Sequence, residues 1–364
     1  MKTLRRTATA LAGGLLIAVS GCELPPVDTV QSGFRGVGME HVQNPRTLED
    51  SVRAVAQRVP QLASPPEEFG DPAPDGTWEN VQVLGHLSES EFNRFKLAMT
   101  TWVAAETGEG CNYCHVIEDD GQVNFASDDK YQKRVSRDMI SMTQTLNTEY
   151  AAHVGEAGVN CWTCHQGQVQ PVNRWYFGDR PDPPAAGSMI ERPQWERHYL
   201  DRNDVRIQSS EALSGDTDNR ASLQQTEYTY WLMIQMSESL GVNCTYCHTS
   251  ARWGDWDESP PQRVTAFRGL DMVRHMNMEY IVPLQDEWPS DRLGPEGDGA
   301  KVNCATCHAG AYIPQYGSTA SHAVDWPALN QIGVAHAAGE TTSAAMEDSD
   351  EDEESDSGEV SENP

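Results

Sequence analysis

The sequence predicts a mainly α protein with long loops, assembled from two related modules. Three observations carry that expectation. Four stretches, Glu91–Glu106, Lys133–Val154, Thr226–Leu240 and Arg263–Tyr280, show the apolar spacing of amphipathic helices, and β-branched alternation is scarce between them. The two halves repeat at an offset of 130 residues, where Leu146-Asn147-Thr148-Glu149-Tyr150 matches Met276-Asn277-Met278-Glu279-Tyr280. The pentapeptide Cys-x-x-Cys-His occurs four times and uses eight of the nine cysteines.

Those pentapeptides are Cys111 to His115, Cys161 to His165, Cys244 to His248 and Cys304 to His308. Two thiols at this spacing add across the vinyl groups of a haem, and the adjacent histidine reaches the iron from the same turn. The thioether cysteines are then Cys111, Cys114, Cys161, Cys164, Cys244, Cys247, Cys304 and Cys307, with His115, His165, His248 and His308 as proximal ligands. Structural zinc would pair one Cys-x-x-Cys with another, and disulfides give no reason for the four histidines. The expectation is four covalently bound c-type haems. Helices then pack against porphyrin faces, which accounts for a hydrophobic content of only 38%.

The ninth cysteine belongs to the N-terminus. Lys2, Arg5 and Arg6 precede an apolar stretch and then Val19-Ser20-Gly21-Cys22, the form of a secretory signal ending in a bacterial lipobox. Cys22 would carry the lipid and hold an otherwise water-soluble chain at the membrane, on the periplasmic side where haem attachment takes place. Beyond the signal (1–21), the chain divides into an N-terminal segment (22–75), a first two-haem module (76–180), a connection (181–220), a second module (221–320) and a C-terminal segment (321–364). Pro-, Gly- or polar-rich stretches at 64–76, 179–187 and 209–220 mark the joints. The last 18 residues hold ten carboxylates and no cation, and are expected to be disordered. A formal charge of −29 argues against nucleic-acid binding and favours basic partners at low salt. Five lysines against 21 arginines leave a halophilic or alkaline habitat as a second source of the acidity.

What fills the sixth position decides the chemistry: a second protein ligand leaves electron transfer, an open face allows catalysis. Met99 lies 16 residues before His115 and Met233 lies 15 before His248, at equivalent places in the two halves, with Met236 a rival. Met139 and Met142 compete for the second haem. Met142 aligns with Met272, whereas Met139 aligns with Gly269, so the fourth haem needs a different partner. His153, twelve residues before His165, is best placed to cross to it, with His275 as competitor. His41, His86, His198, His322 and His336 read as surface or loop residues.

From about Val81 to Pro314 the chain closely resembles the tetrahaem cytochrome subunit of purple-bacterial photosynthetic reaction centres. The resemblance rests on the lipid-box cysteine, the paired motifs, Gly241-Val242-Asn243-Cys244 and Asn277-Met278-Glu279-Tyr280. It implies Met/His ligation at three haems through Met99, Met139 and Met233, and His/His ligation of the His308 haem through His153. The internal repeat itself suggests two modules related by a pseudo-twofold, and the resemblance adds an arginine after Pro261-Gln262, here Arg263, beside the haem nearest the special pair. The implied role is electron relay, without enzymatic turnover, at the periplasmic face of the photosynthetic membrane. Electrons would pass from a soluble cytochrome c or high-potential iron–sulfur protein to the photo-oxidised bacteriochlorophylls of the reaction-centre core. The rivals are a lipid-anchored relay for a respiratory enzyme and a multihaem enzyme with one open iron.

Overall fold

A computed structural model describes residues 45–178 and 222–330, apart from 61, 63–67, 69 and 319–321, together with two short antiparallel strands, β1 (Val30–Ser32) and β2 (His41–Gln43). The signal segment, Cys22, the 181–220 connection and the acidic tail lie outside the described residues. Helix α1 spans Pro45–Arg58.

All four expected helices form, with shifted ends. α2 (Glu89–Ala104) starts where the Ser88 hydroxyl accepts the Glu91 amide at 3.2 Å. Its Phe92, Phe95, Ala98 and Trp102 share one buried face. Residues 323–329 cover that face, with the Trp102 and Trp326 rings 4.7 Å apart. A short hairpin, β3 (Val116–Ile117) with β4 (Val123–Asn124), follows the first motif. The expected Lys133–Val154 helix is broken. α3 runs Tyr131–Glu149, Tyr150 leaves helical geometry at φ −107 and ψ 22, and a separate turn, α4 (Ala151–Val154), follows. The break takes His153 out of the register of Met139 and Met142.

Next comes α5 (Cys161–His165), the second motif itself. In the second half, α6 (Leu223–Leu240) opens with a Ser222–Gln225 capping box and stops at Gly241, whose φ is +64. A Cβ at Gly241 would collide with the Gly310 carbonyl oxygen, so the residue is required for close approach as well as for the turn. α7 (Gln262–His275) runs on into a π-helical segment, Met276–Ile281, and α8 (Cys304–His308) is the fourth motif.

The sequence repeat is visible in hydrogen bonds. The Asn147 side chain accepts the Val159 amide at 2.7 Å and donates to the Val159 carbonyl at 2.9 Å. Asn277 makes the same pair with Val302, both at 2.9 Å. Each asparagine thus clamps the strand entering a motif helix, two residues before its first cysteine. The exits match too: the Gly167 amide donates to Trp102 of α2 at 2.7 Å, and the Gly310 amide to Ser239 of α6 at 2.8 Å.

Among the described residues, buried side chains form three separate clusters. One lies on α2, one between α6 and α7 around Trp231 and Leu270, and one where Met142 and Leu146 of α3 meet Met272 and Met276 across the halves. Met142 and Met272, aligned by the repeat, therefore pack together in one cluster.

Candidate haem centres

Each motif is a single turn, of two alternating kinds. The second and fourth are α-helical, capped by Asn160 with Thr163 and by Asn303 with Thr306. The first and third are 3-10 turns, Gly110–Tyr113 and Cys244–Tyr246, in which the His115 and His248 amides donate to the Cys111 and Cys244 carbonyls at 3.1 and 3.0 Å. Either turn brings the first cysteine and the histidine to one side. Among the described residues no three His, Cys, Asp or Glu side chains converge as a metal cage; the thiols stand in pairs, each followed by its imidazole.

The imidazoles are oriented by backbone. Nδ1 of His165 donates to the Gln168 carbonyl, that of His248 to Trp253 and that of His308 to Ala311, each at 2.9 Å. A proton held on Nδ1 leaves the Nε2 lone pair for a metal. Burial keeps these rings neutral: it lowers the pKa of His165 and His248 and brings His308 down to about 4. His115 differs. Its Nδ1 is buried without a partner, and Phe125 meets its ring edge-on at 5.0 Å. Burial also pushes up four of the thiols, Cys114 and Cys247 to about 11 and Cys161 and Cys304 to about 12.

A cavity of about 450 Å³ runs between the first two motifs, and Met99 and Met139 both face it, as does Met142. Its size lies within the range of about 300–1,000 Å³ found for cofactor sites. Met233 and Met236 both pack at the edge of the α6–α7 cluster, so both rivals stay near one another.

His153 crosses between the halves. Its Nδ1 meets the Thr265 carbonyl at 2.8 Å, and its ring lies 6.2 Å from that of His308, centroid to centroid. Two metal–nitrogen bonds of about 2 Å each, with the ring on either side, span that distance, so the pair fits an iron between them. Gly269 makes the approach possible, since a Cβ there would stand 2.9 Å from Nδ1 and 3.1 Å from Nε2 of His153. Sequence reasoning noted Gly269 only as a missing methionine. A glycine inside a helix, opposite the histidine that must cross, was the available signal. His275 instead sits between Tyr150 and Tyr280, at 5.5 and 5.8 Å.

In space the motifs do not follow chain order. The first and second share the cavity, and the second motif helix, α5, packs against the fourth, α8, with Cys164 beside Cys307. The fourth packs on α6, which leads directly into the third. Beyond the third motif, Arg263 lies over the Trp256 ring at 4.0 Å and donates to the Asp255 carbonyl and Ser259 hydroxyl, each at 2.6 Å. His86, expected to be a surface or loop residue, lies in a loop, where it is half-buried with its Nε2 enclosed.

The sequence model of the family described as photosynthetic reaction centre cytochrome C subunit matches residues 23–330. This chain belongs to that family. It is 41% identical to the photosynthetic reaction center cytochrome c subunit of Rubrivivax gelatinosus, over 91% of this chain and 90% of the relative. Identity is 40% to the subunit of Thermochromatium tepidum (87% and 79% covered) and 37% to that of Roseobacter denitrificans (83% and 85%). As a reaction-centre cytochrome c, the chain carries covalently bound c-type haem, and its paired thiols with neutral, Nδ1-anchored imidazoles suit that attachment.

Proposed function

We propose that this chain is the tetrahaem electron relay of a photosynthetic reaction centre. It takes electrons from a soluble periplasmic carrier, a small cytochrome c or a high-potential iron–sulfur protein, and delivers them to the photo-oxidised special pair of the core subunits. The observation that carries the reading is the contact sequence of the motifs: first to second through one cavity, second to fourth through the packing of α5 on α8, fourth to third through α6. Bound haem supplies one-electron storage at each station. The protein's part is to hold and tune these stations, so no substrate bond is made or broken.

Eight cysteines supply the thioethers, and His115, His165, His248 and His308 the proximal nitrogens. Met99, Met139 and Met233 offer thioether sulfur as sixth ligands, and His153 offers its Nε2 to the station of His308. Methionine favours the reduced iron and a second imidazole does not, so three higher-potential stations and one lower follow. On this reading the lower one stands inside the chain of stations, between the second and third. The third motif, beside Arg263, is then the terminal donor. Cys22 anchors the subunit by its lipid at the periplasmic face of the membrane, the reading that the Val19-Ser20-Gly21-Cys22 lipobox supports. Among the described residues no helix is long and apolar enough to cross a membrane.

Flash excitation of native membranes with the haems prereduced tests the relay. Haem oxidation at the α-band, matching re-reduction of the special pair, is the expected result. An active special pair with no haem oxidation would overturn the role and favour a lipid-anchored respiratory relay.

A further inference from the structure

The chain carries 55 acidic against 26 basic side chains, yet the cavity between the first two motifs is lined by three cations, Lys96, Arg174 and Lys301, and by no aspartate or glutamate among the described residues. At the chain's own ratio, acids should outnumber cations two to one there. Lys301 is already neutralised: it is 2% exposed, pairs with Asp298, and its Nζ lies 4.0 Å from the Phe177 ring centre. The other two are not. Lys96 has the rings of Phe92 and Phe125 near its ammonium, at 4.8 and 5.9 Å. Arg174 donates to the Tyr176 hydroxyl at 3.2 Å and the Pro171 carbonyl at 3.0 Å. Neither forms an ion pair among the described residues. In a partly buried, otherwise apolar wall, uncompensated cations are costly unless an anion enters with the ligand.

We propose that Lys96 and Arg174 are the counter-charges to haem propionates, Lys96 at the first motif and Arg174 at the second. The inference rests on the tetrahaem reading above. Lys96 stands one helical turn before Met99, next to the Phe125 ring that meets His115. Arg174 follows the second motif and is held in place by the bridge between Trp175 and Lys301, whose amides exchange bonds at 3.0 and 2.8 Å. A cation beside a propionate removes negative charge that favours the oxidised iron, so each residue raises the potential of its own haem.

The test is a spectroelectrochemical titration of the full-length haem-loaded protein, wild type against K96Q and R174Q, with K96R and R174K as charge-retaining controls. Haem content per chain is measured first by pyridine haemochrome. Each glutamine variant is expected to lower one couple, and a different one, by about tenfold in the ratio of reduced to oxidised haem at fixed potential, or 59 mV for one electron. The charge-retaining variants should restore most of the shift. Four unshifted couples in fully loaded K96Q overturn the inference, as does the same couple moving in both variants. Fewer than four haems in the wild type overturns the tetrahaem reading instead. Should R174Q fail to accumulate, K96Q and K96R carry the test.

Discussion

At Gly269 one missing side chain leaves room for the His153 ring. Its repeat partner, Met139, faces the cavity of the first half. With no Cβ, Gly269 instead lets the His153 ring come within contact distance of α7 and face His308. The Thr265 carbonyl, one turn earlier on the same helix, fixes the ring by its Nδ1. Gly269→Ala would gain helix propensity, by about 1 kcal/mol at an unencumbered site, but here the added methyl displaces the imidazole. The lowest-potential couple is therefore expected to disappear and one ferrous haem to bind carbon monoxide, read by absorption difference spectra. Unchanged couples with no carbon monoxide adduct in the alanine variant would refute the crossing of His153. The displaced couple should move within the span of about 0.8 V that axial ligands cover.

Between residue and whole, the first motif depends on a strand-and-loop element that periodicity did not reveal. The Lys133 ammonium, buried at the start of α3, donates to the carbonyls of Phe125, Ala126 and Ser127 at 2.9, 2.8 and 2.9 Å. Asp128 neutralises it at 2.9 Å and takes Arg137 in two bonds, at 2.7 and 3.0 Å. This hub holds the end of the β3–β4 hairpin so that Phe125 meets His115. Hydrogen bonds from Arg137, and then from Lys133 and Asn80, hold the Asp128 carboxyl well below the usual carboxylate range, with desolvation opposing them. Because its folded pKa is depressed, its contribution is complete above the unfolded value of about 3.9 and is lost as pH falls below it. Asp128→Asn should cost about 1–3 kcal/mol at neutral pH, the worth of hydrogen bonds to a charged group. Urea melts at pH 7 and pH 3 check this; a gap between wild type and variant just as wide at pH 3 would be incompatible with it. Such a hub was illegible in the sequence because its bonds run from a side chain to backbone carbonyls. The break at Tyr150 escaped for a related reason, since apolar spacing continues across it. The four helices and the Cys-x-x-Cys-His turns were legible because each is set by residues within a few positions of one another.

Over the whole molecule, spatial order and charge decide how the relay is fed. The order first, second, fourth, third depends on contacts between segments more than a hundred residues apart, such as Cys164 with Cys307, and no local pattern encodes it. The aligned Asn147 and Asn277 clamps hinted at related halves but not at how they meet. Charge was readable in sign and not in place. Of the five lysines, Lys96, Lys130 and Lys133 gather near the first motif, where Lys130 donates to the Asn112 carbonyl and all three lower the His115 pKa after burial does. These three are turned to loops and cavity, while the chain as a whole stays at −29. A basic soluble carrier is accordingly steered by long-range attraction, and a neutral or acidic one is not. Raising ionic strength from 0.01 to 0.15 M shortens the screening length from about 30 to about 8 Å, which removes most of that attraction. Second-order re-reduction of the flash-oxidised haems by a basic cytochrome c should therefore slow by about tenfold or more over this range. With an uncharged or acidic carrier the rate should change little. Equal salt dependence for both carriers would show that the −29 charge does not guide the donor, and would leave habitat as the better account of the acidity.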